Sequence, residues 1–381
     1  ESHSQCDNHA KKHIHFKHLL DLMKLIYVVF ILLLMLTTSA QGQQTAEDWF
    51  NEGNSFIAQG KYEEAIQSYN EAIELNQSYA AAWSRKGKAI RDLGKYNESL
   101  KAFNKAIEID PHLSEAWIGK GMALYNQGKI DEAIIAYERA IQIDPQNAYA
   151  WNNKGFSLSQ LGKYDEAIKA LDKAIEIEPQ FFEAWANKGK ALSNQDKFDE
   201  AIKAYDKAIE IDSQFAKTVY SKGAALYKLG KFDEAIQALD KAIEIEPQFA
   251  GAWNFKGLIL AMQLNNDEAI KAFDKAIEIE PQLADAWKNK GLILALQGNN
   301  DEAIKAFDKA IEIEPQIELP YAEVCVDKGN DLARQGKYDE AIAAYDEAIK
   351  QDQNFSLAWV GKGLMLKQLD RNTEAPMQPS L

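Results

Sequence analysis

The sequence predicts an all-α solenoid built from one repeated pair of antiparallel helices. Eight glycines, from Gly53 to Gly291, stand 34 residues apart, and Gly329 and Gly363 continue the series after one longer interval. All eight tryptophans lie four residues before one of these ten glycines. A fixed period of this kind is the signature of stacked supersecondary units, each of which buries its apolar face on its neighbours.

Residues 148–181 show how one unit folds. In the first half, Trp151, Gly155, Leu158 and Leu161 recur every three or four residues, which is the spacing of one face of an amphipathic helix. A Gly-Lys dipeptide interrupts this pattern and marks a turn. The glycine within the helix lets two helix axes approach closely, and the tryptophan fills the space between helices.

The second half of the same unit predicts another helix. It begins near Asp165 and Glu166, because negative charge is favourable at the positive end of a helix dipole. It ends before Pro179. Its apolar stripe consists of Ala167, Ile168, Leu171, Ala174 and Ile175. Acidic pairs recur at this point along the chain, so we interpret them as helix starts and not as acid–base dyads.

The order Trp, Gly, Ala, aromatic residue, Ala and Pro within the units resembles the tetratricopeptide repeat. The resemblance covers nearly all of residues 46–375, as about nine full copies and a partial tenth, of the kind common in archaea and cyanobacteria. It implies a right-handed superhelix whose concave groove holds an extended peptide or a helix of a partner. One departure is a lysine before the glycine in nine units, such as Lys154. We expect its stem to lie along the packed face and its ammonium to stay in water.

The repeat register also predicts the boundaries of the units. These are 46–317 for repeats one to eight, 318–321 for an insertion, 322–355 for the ninth repeat, 356–375 for a partial repeat or capping helix, and 376–381 for a tail. Four extra residues nearly equal one helical turn, so the ninth repeat keeps its facing direction. Because proline lacks a backbone N–H, we expect Pro320 at the start of the next helix.

The segment before the repeats predicts export. Residues 25–36 are uniformly apolar, follow Lys24, and lead through small residues to Ala40. This is the outline of a secretory signal, and the apolar run is short for a membrane-spanning helix. We therefore expect residues 1–22 to be a disordered extension and 23–40 to be a cleaved signal or, less favoured, a membrane anchor. A linker over 41–45 follows, and the mature protein is expected to be extracytoplasmic, secreted or membrane-anchored.

The composition argues against several classes of function. The net charge is −15 and no run of five or six basic residues is present, which disfavours nucleic-acid binding. Five of the six histidines precede residue 19, so Ser–His, Cys–His and histidine–metal chemistry lack their parts within the repeats. Cys325 replaces a repeat tryptophan and is expected to be a small buried residue. We therefore predict a protein that is not an enzyme and takes no cofactor or metal.

Comparison of the repeats with one another predicts the binding surface. When positions are counted from the residue seven before the glycine, positions 2, 5, 9, 12 and 13 form one stripe of the first helix and vary most between repeats. The resemblance places this stripe in the groove. The candidate binding residues on it are Tyr125, Phe156, Tyr220, Tyr227, Leu258, Met262, Leu292 and Leu296. Asn153, Asn187 and Asn289 at position 6 are further candidates, because an amide can bond a peptide backbone.

Two interpretations of this stripe stay open. An apolar stripe that packing does not need marks a partner surface, but the same side chains could instead complete the core between helices. The lysine and asparagine set with which some members of the family grip a terminal carboxylate is absent, since Lys288 at position 5 is followed by Leu292. We predict a non-catalytic scaffold for a protein or peptide partner. The alternatives are the targeting arm of a truncated glycosyltransferase-like enzyme and a self-associating structural protein, and the oligomeric state is left open.

Overall fold

The computed structural model describes Met23 and residues 44–374, with side chains described up to Asp370. Apart from Met23, the predicted extension, the signal or anchor segment and the C-terminal tail lie outside the described residues. Within residues 44–374 the regular structure is helical throughout. No helix in this range is both long enough and apolar enough to cross a bilayer.

Nineteen helices follow one another along the described chain, and the odd-numbered ones are the first helices of successive repeats. They are α1 Ala46–Ala58, α2 Tyr62–Leu75, α3 Ala80–Asp92, α4 Tyr96–Ile109, α5 Ser114–Asn126, α6 Ile130–Ile143, α7 Ala148–Gln160, α8 Tyr164–Ile177, α9 Phe182–Ser193, α10 Phe198–Ile211, α11 Ala216–Lys228, α12 Phe232–Ile245, α13 Ala250–Met262, α14 Asn266–Ile279, α15 Ala284–Leu296, α16 Asn300–Ile313, α17 Tyr321–Arg334, α18 Tyr338–Gln351 and α19 Ser356–Glu374. The chain divides after Ser157, within α7, into two compact units. The predicted all-α solenoid of helix pairs is confirmed.

The ends of the helices follow from local chemistry. A first helix ends in a turn whose central residue has positive φ, as at Gly298 with φ 76°, a conformation that glycine adopts without steric cost. The second helices α14 and α16 begin with acidic residues in the first turn and end before the segment that contains the repeat proline. The indole N–H of Trp287 donates to the carbonyl oxygen of Pro281 over 3.1 Å. Trp83 and Trp359 make the same bond to the backbone carbonyl oxygens of Gln77 and Gln353, so the bond does not require proline.

In most repeats an aromatic ring of the second helix lies against the glycine of the first helix, and in the sixth repeat Leu239 takes the place of the ring. In the seventh repeat the ring of Phe273 on α14 is fully buried and lies over Gly257 on α13. A Cβ atom at Gly257 would lie 2.6 Å from Phe273 Cε1. Alanines at 269, 272 and 276 flank the ring and are buried as well. The small residues therefore set the distance between helices, and the ring fills the remaining space.

The lysine that precedes the repeat glycine has a defined role. Lys256 Nζ lies 2.5 Å from Asp240 Oδ1 and 5.5 Å from the ring centroid of Trp253. The same pairing with an acidic residue 16 positions earlier recurs, for example between Lys290 and Asp274. The stem lies on the tryptophan face while the ammonium reaches a carboxylate at the surface.

The insertion before the ninth repeat changes this pairing. Pro320 is the N-cap residue of α17, which begins at Tyr321, so the prediction for this proline is confirmed. The hydroxyl of Tyr321 donates to Asp308 over 2.6 Å. Lys328, which precedes the repeat glycine here, lies 2.7 Å from Asp301 instead of pairing 16 positions earlier.

Candidate partner-binding surface

The first helices of neighbouring repeats in the second unit lie side by side. The hydroxyl of Tyr227 on α11 donates to Met262 Sδ on α13 over 3.4 Å. The amide of Asn289 on α15 donates to Asn254 Oδ1 on α13 over 3.1 Å. Each bond joins residues 35 positions apart, which is one residue more than the repeat period. The bonded residues therefore lie at nearly equivalent places on neighbouring first helices. The variable positions of α11, α13 and α15 therefore form one continuous strip.

An aromatic cluster occupies the α11 end of this strip. The ring of Tyr220 lies 5.1 Å from Phe249 and 5.7 Å from Phe255 between centroids, and Tyr227 makes an edge contact with Phe255 at 5.2 Å. Burial raises the pKa of Tyr220, which therefore stays protonated. Both tyrosines also pack against the buried cluster around Leu239. Tyr220 and Tyr227 therefore pack against the core and also line the strip.

Phe255 was not among the sequence-predicted residues. It stands at position 6, where only asparagines were predicted to bind, and its ring lies between those of Tyr220 and Tyr227. The sequence does distinguish Phe255, because several other repeats have asparagine at this position, such as Asn187 and Asn289. An aromatic ring there has no counterpart in the other repeats.

The four predicted aliphatic residues fall into two groups. Met262 and Leu296 are 51% and 79% exposed, whereas Leu258 and Leu292 are half-buried. Leu292 packs against the buried cluster that contains Phe307, so it contributes to the core as well as to the strip. Met262 and Leu296 are the last residues of α13 and α15.

A further exposed leucine lies in the turn after α13. Leu264 is 85% exposed and has φ 62°. Seven other turns of the described chain place a glycine of positive φ at this point: Gly60, Gly94, Gly128, Gly162, Gly230, Gly298 and Gly336. We call Met262, Leu264 and Leu296 the apolar rim. Sequence reasoning missed Leu264 because it stands beyond the helix, although the break in the glycine pattern marks it.

The polar surroundings of the apolar rim differ from those of other turns. Most turns carry a lysine followed by an aromatic residue, but α14 and α16 are preceded by asparagine and begin with asparagine. Gln263 donates to Asp233 over 2.8 Å, and Gln297 donates to Asp267 over 3.2 Å. The side chains that flank the rim are therefore neutral amides, bonded to carboxylates of the preceding repeat.

In the first unit, two of the predicted residues meet. The rings of Tyr125 and Phe156 lie 5.4 Å apart between centroids, and Asn153 is half-buried nearby in sequence on α7. Burial raises the pKa of Tyr125. Asn187 in the second unit is likewise half-buried, and Asn289 already donates its amide to Asn254.

The described residues hold no group of three or more His, Cys, Asp or Glu side chains placed to bind a metal ion. Cys325 is only 1% exposed. Burial, with a smaller contribution from the charge of Glu347, raises the pKa of its thiol to about 12. The thiol is therefore a packed, protonated group at neutral pH.

The chain belongs to the tetratricopeptide repeat family. Family models described as TPR repeat match residues 53–94, 87–128 and 121–162. Models described as tetratricopeptide repeat match residues 148–181, 182–215, 284–317, 220–284 and 326–378. No curated protein matches the chain.

Solved structures share the fold. A tetratricopeptide repeat protein from Parabacteroides merdae is 18% identical, with a TM-score of 0.51, covering 66% of this chain and 100% of its own. YrrB, described as a TPR protein with an unusual peptide-binding site, is 24% identical, with a TM-score of 0.42, covering 49% and 96%. MamA is 28% identical, with a TM-score of 0.39, covering 46% and 95%.

Proposed function

We propose that this protein is a scaffold that binds a peptide or helical segment of a partner protein along the first helices of its second unit. One observation carries the proposal. Position 13 is occupied by a large apolar side chain only at Met262 and Leu296, and it is polar or alanine in the other eight repeats. Both side chains are exposed, so the fold itself does not require them.

The strain at Leu264 supports the same surface. A left-handed conformation costs an L-residue roughly 1–2 kcal/mol, and the side chain of Leu264 gains no burial in return. Strained residues that the fold does not need are a mark of functional sites. Contact with a partner would bury the leucine and offset this cost.

The chemistry of the strip defines the ligand. The apolar rim offers anchoring contacts for one or two aliphatic or aromatic side chains, and Tyr220, Phe255 and Tyr227 continue it with aromatic faces. Gln263 and Gln297 beside the rim each use one amide N–H to donate to a carboxylate, and their second N–H and their carbonyl oxygen can bond a peptide backbone. The ligand is therefore a segment with apolar anchors and little charge.

Selection of short random peptides displayed on phage tests this proposal. The selected peptides should be rich in apolar residues, and Met262→Asp with Leu296→Asp should weaken their binding about tenfold or more, because each lost apolar contact is worth about 1.5–3 kcal/mol. Ile135→Asp is the matched control, since Ile135 is 59% exposed on the second helix α6. Equal binding by the double variant and the parent would contradict the proposed surface.

We also propose that the protein acts outside the cytoplasm. The apolar residues 25–36 and the small residues that follow them support export. Mass spectrometry of the protein from its native cells should find a chain that begins near Gln41 in an extracytoplasmic fraction. An intact apolar segment in a cytoplasmic fraction would overturn the proposal, and one in a membrane fraction would favour an anchor.

A further inference from the structure

The turns that join one repeat to the next follow a common sequence pattern, and the first of them departs from it. Eight of the nine turns begin with aspartate or glutamate, and proline follows in six of them, as in Glu178-Pro179. The turn after α2 has Asn76 and Gln77 in these places, and Ser78 follows. These three residues form Asn-x-Ser, the sequence that accepts an N-linked oligosaccharide when its middle residue is not proline.

The turn presents Asn76 as an acceptor. Asn76 is the C-cap residue of α2 and has extended backbone angles, φ −142° and ψ 91°. Its side-chain Oδ1 accepts a hydrogen bond of 3.1 Å from the backbone N–H of Ser78, which leaves the Nδ2 amide for reaction. Asn76 and Ser78 are both exposed. The amide and the hydroxyl that a glycosylating enzyme needs are therefore accessible in the same turn.

An exposed apolar side chain stands next to this acceptor. Leu75 is the last residue of α2 and is 53% exposed. Seven later second helices end in an isoleucine at the same place, and each of these isoleucines is half-buried. The C–H face of the first sugar on Asn76 would cover Leu75 and remove apolar surface from water.

We propose that Asn76 is a site of N-linked glycosylation, with an oligosaccharide carried on a lipid pyrophosphate as the donor. Nδ2 of Asn76 attacks the anomeric carbon of the sugar and forms the new C–N bond. The bond from that carbon to the pyrophosphate oxygen breaks, the lipid pyrophosphate leaves with the electron pair, and Nδ2 loses one proton to water. Such transfer takes place outside the cytoplasm, so the inference rests on the proposed export.

A second Asn-x-Ser sequence provides an internal control. Asn97 lies in the first turn of α4, and its Oδ1 accepts a hydrogen bond of 2.8 Å from the side-chain amide of Gln127. Ser99 is fully buried, and its hydroxyl donates to the carbonyl oxygen of Gly87 over 2.7 Å. In the folded chain this serine hydroxyl is therefore inaccessible, unlike that of Ser78.

The third such sequence lies before the last helix and differs from the first in its hydrogen bonds. The backbone N–H of Asn354 donates to the side chain of Asp352, so the aspartate forms the turn bond there. Ser356 is already the first residue of α19. Only the turn after α2 combines the asparagine turn bond with a serine outside a helix.

Intact-mass spectrometry of the full chain, isolated from its native cells after fractionation, tests the site. The parent should exceed the mass of its polypeptide by that of a glycan, and peptide mapping should place the addition on Asn76. Asn76→Gln and Ser78→Ala should each lose the addition. Ser78→Thr should retain it, because threonine also supplies the hydroxyl. Asn97→Gln is the matched control and should keep the same added mass on Asn76.

The fractionation separates failure of this inference from failure of the proposed export. Protein recovered outside the cytoplasm with Asn76 unmodified would overturn the glycosylation site and leave export standing. Protein confined to the cytoplasm with its apolar segment intact would overturn export and this inference together. Added mass that persists in Asn76→Gln would place the modification elsewhere and would also overturn the inference.

Discussion

At the residue scale, one position in the turn between the first and second helices affects stability and also lies on the proposed binding surface. Seven of these turns use glycine at positive φ, while Asp196 and Leu264 adopt the same conformation with φ 59° and 62°. Aspartate tolerates the left-handed region because its short side chain can bond the nearby backbone. Leucine has no such compensation.

We expect Leu264→Gly to stabilise the protein by about 0.5–1 kcal/mol. The substitution removes roughly 1–2 kcal/mol of steric cost from the folded state. Glycine also gives the unfolded chain more conformational freedom, which lowers the gain in stability by about 0.4–1 kcal/mol. Urea denaturation of parent and variant measures the change. Gly298→Leu, at φ 76° in the next repeat, is the matched reverse and should destabilise. A loss of stability in Leu264→Gly would show that the leucine makes a contact the structure does not contain.

At the element scale, the helix pair is the unit that the sequence predicts well. Periodicity, the acidic start and the proline predict both helices of each repeat and the place of Pro320 before α17. The ion pair between Lys256 and Asp240 could not be predicted in the same way. It joins a first helix to the second helix of the preceding repeat, so it depends on how two units stack.

Removing the fully buried ring of Phe273 tests how much this ring stabilises the helix pair. Phe273→Ala should cost about 3–5 kcal/mol, because it leaves a cavity beneath Gly257. Since each repeat contacts only its neighbours, amide protection should fall in α13 and α14 and their adjacent repeats while α1 to α4 keep theirs. Hydrogen exchange with mass spectrometry resolves the two regions. A uniform loss of protection along the chain would contradict this local behaviour.

At the scale of the whole molecule, comparison of the repeats separates what the fold needs from what it leaves free. The sequence predicted an apolar strip over repeats six to eight, and the structure brings Tyr220, Tyr227 and Met262 together there. It could not separate Leu292, which packs against the core, from the exposed Leu296. The two residues lie four positions apart on one helix, and their burial depends on the next repeat.

Hydrogen exchange of the chain with a phage-selected peptide bound tests whether the partner segment lies along the first helices of the second unit. If the partner lies along the strip of first helices, amide protection should increase in α13, α15 and the turn at Leu264, and α14 and α16 should change little beyond that turn. The Met262→Asp and Leu296→Asp double variant should lose this pattern. Protection concentrated on α14 and α16, with α13 and α15 unchanged, would contradict binding along the first helices.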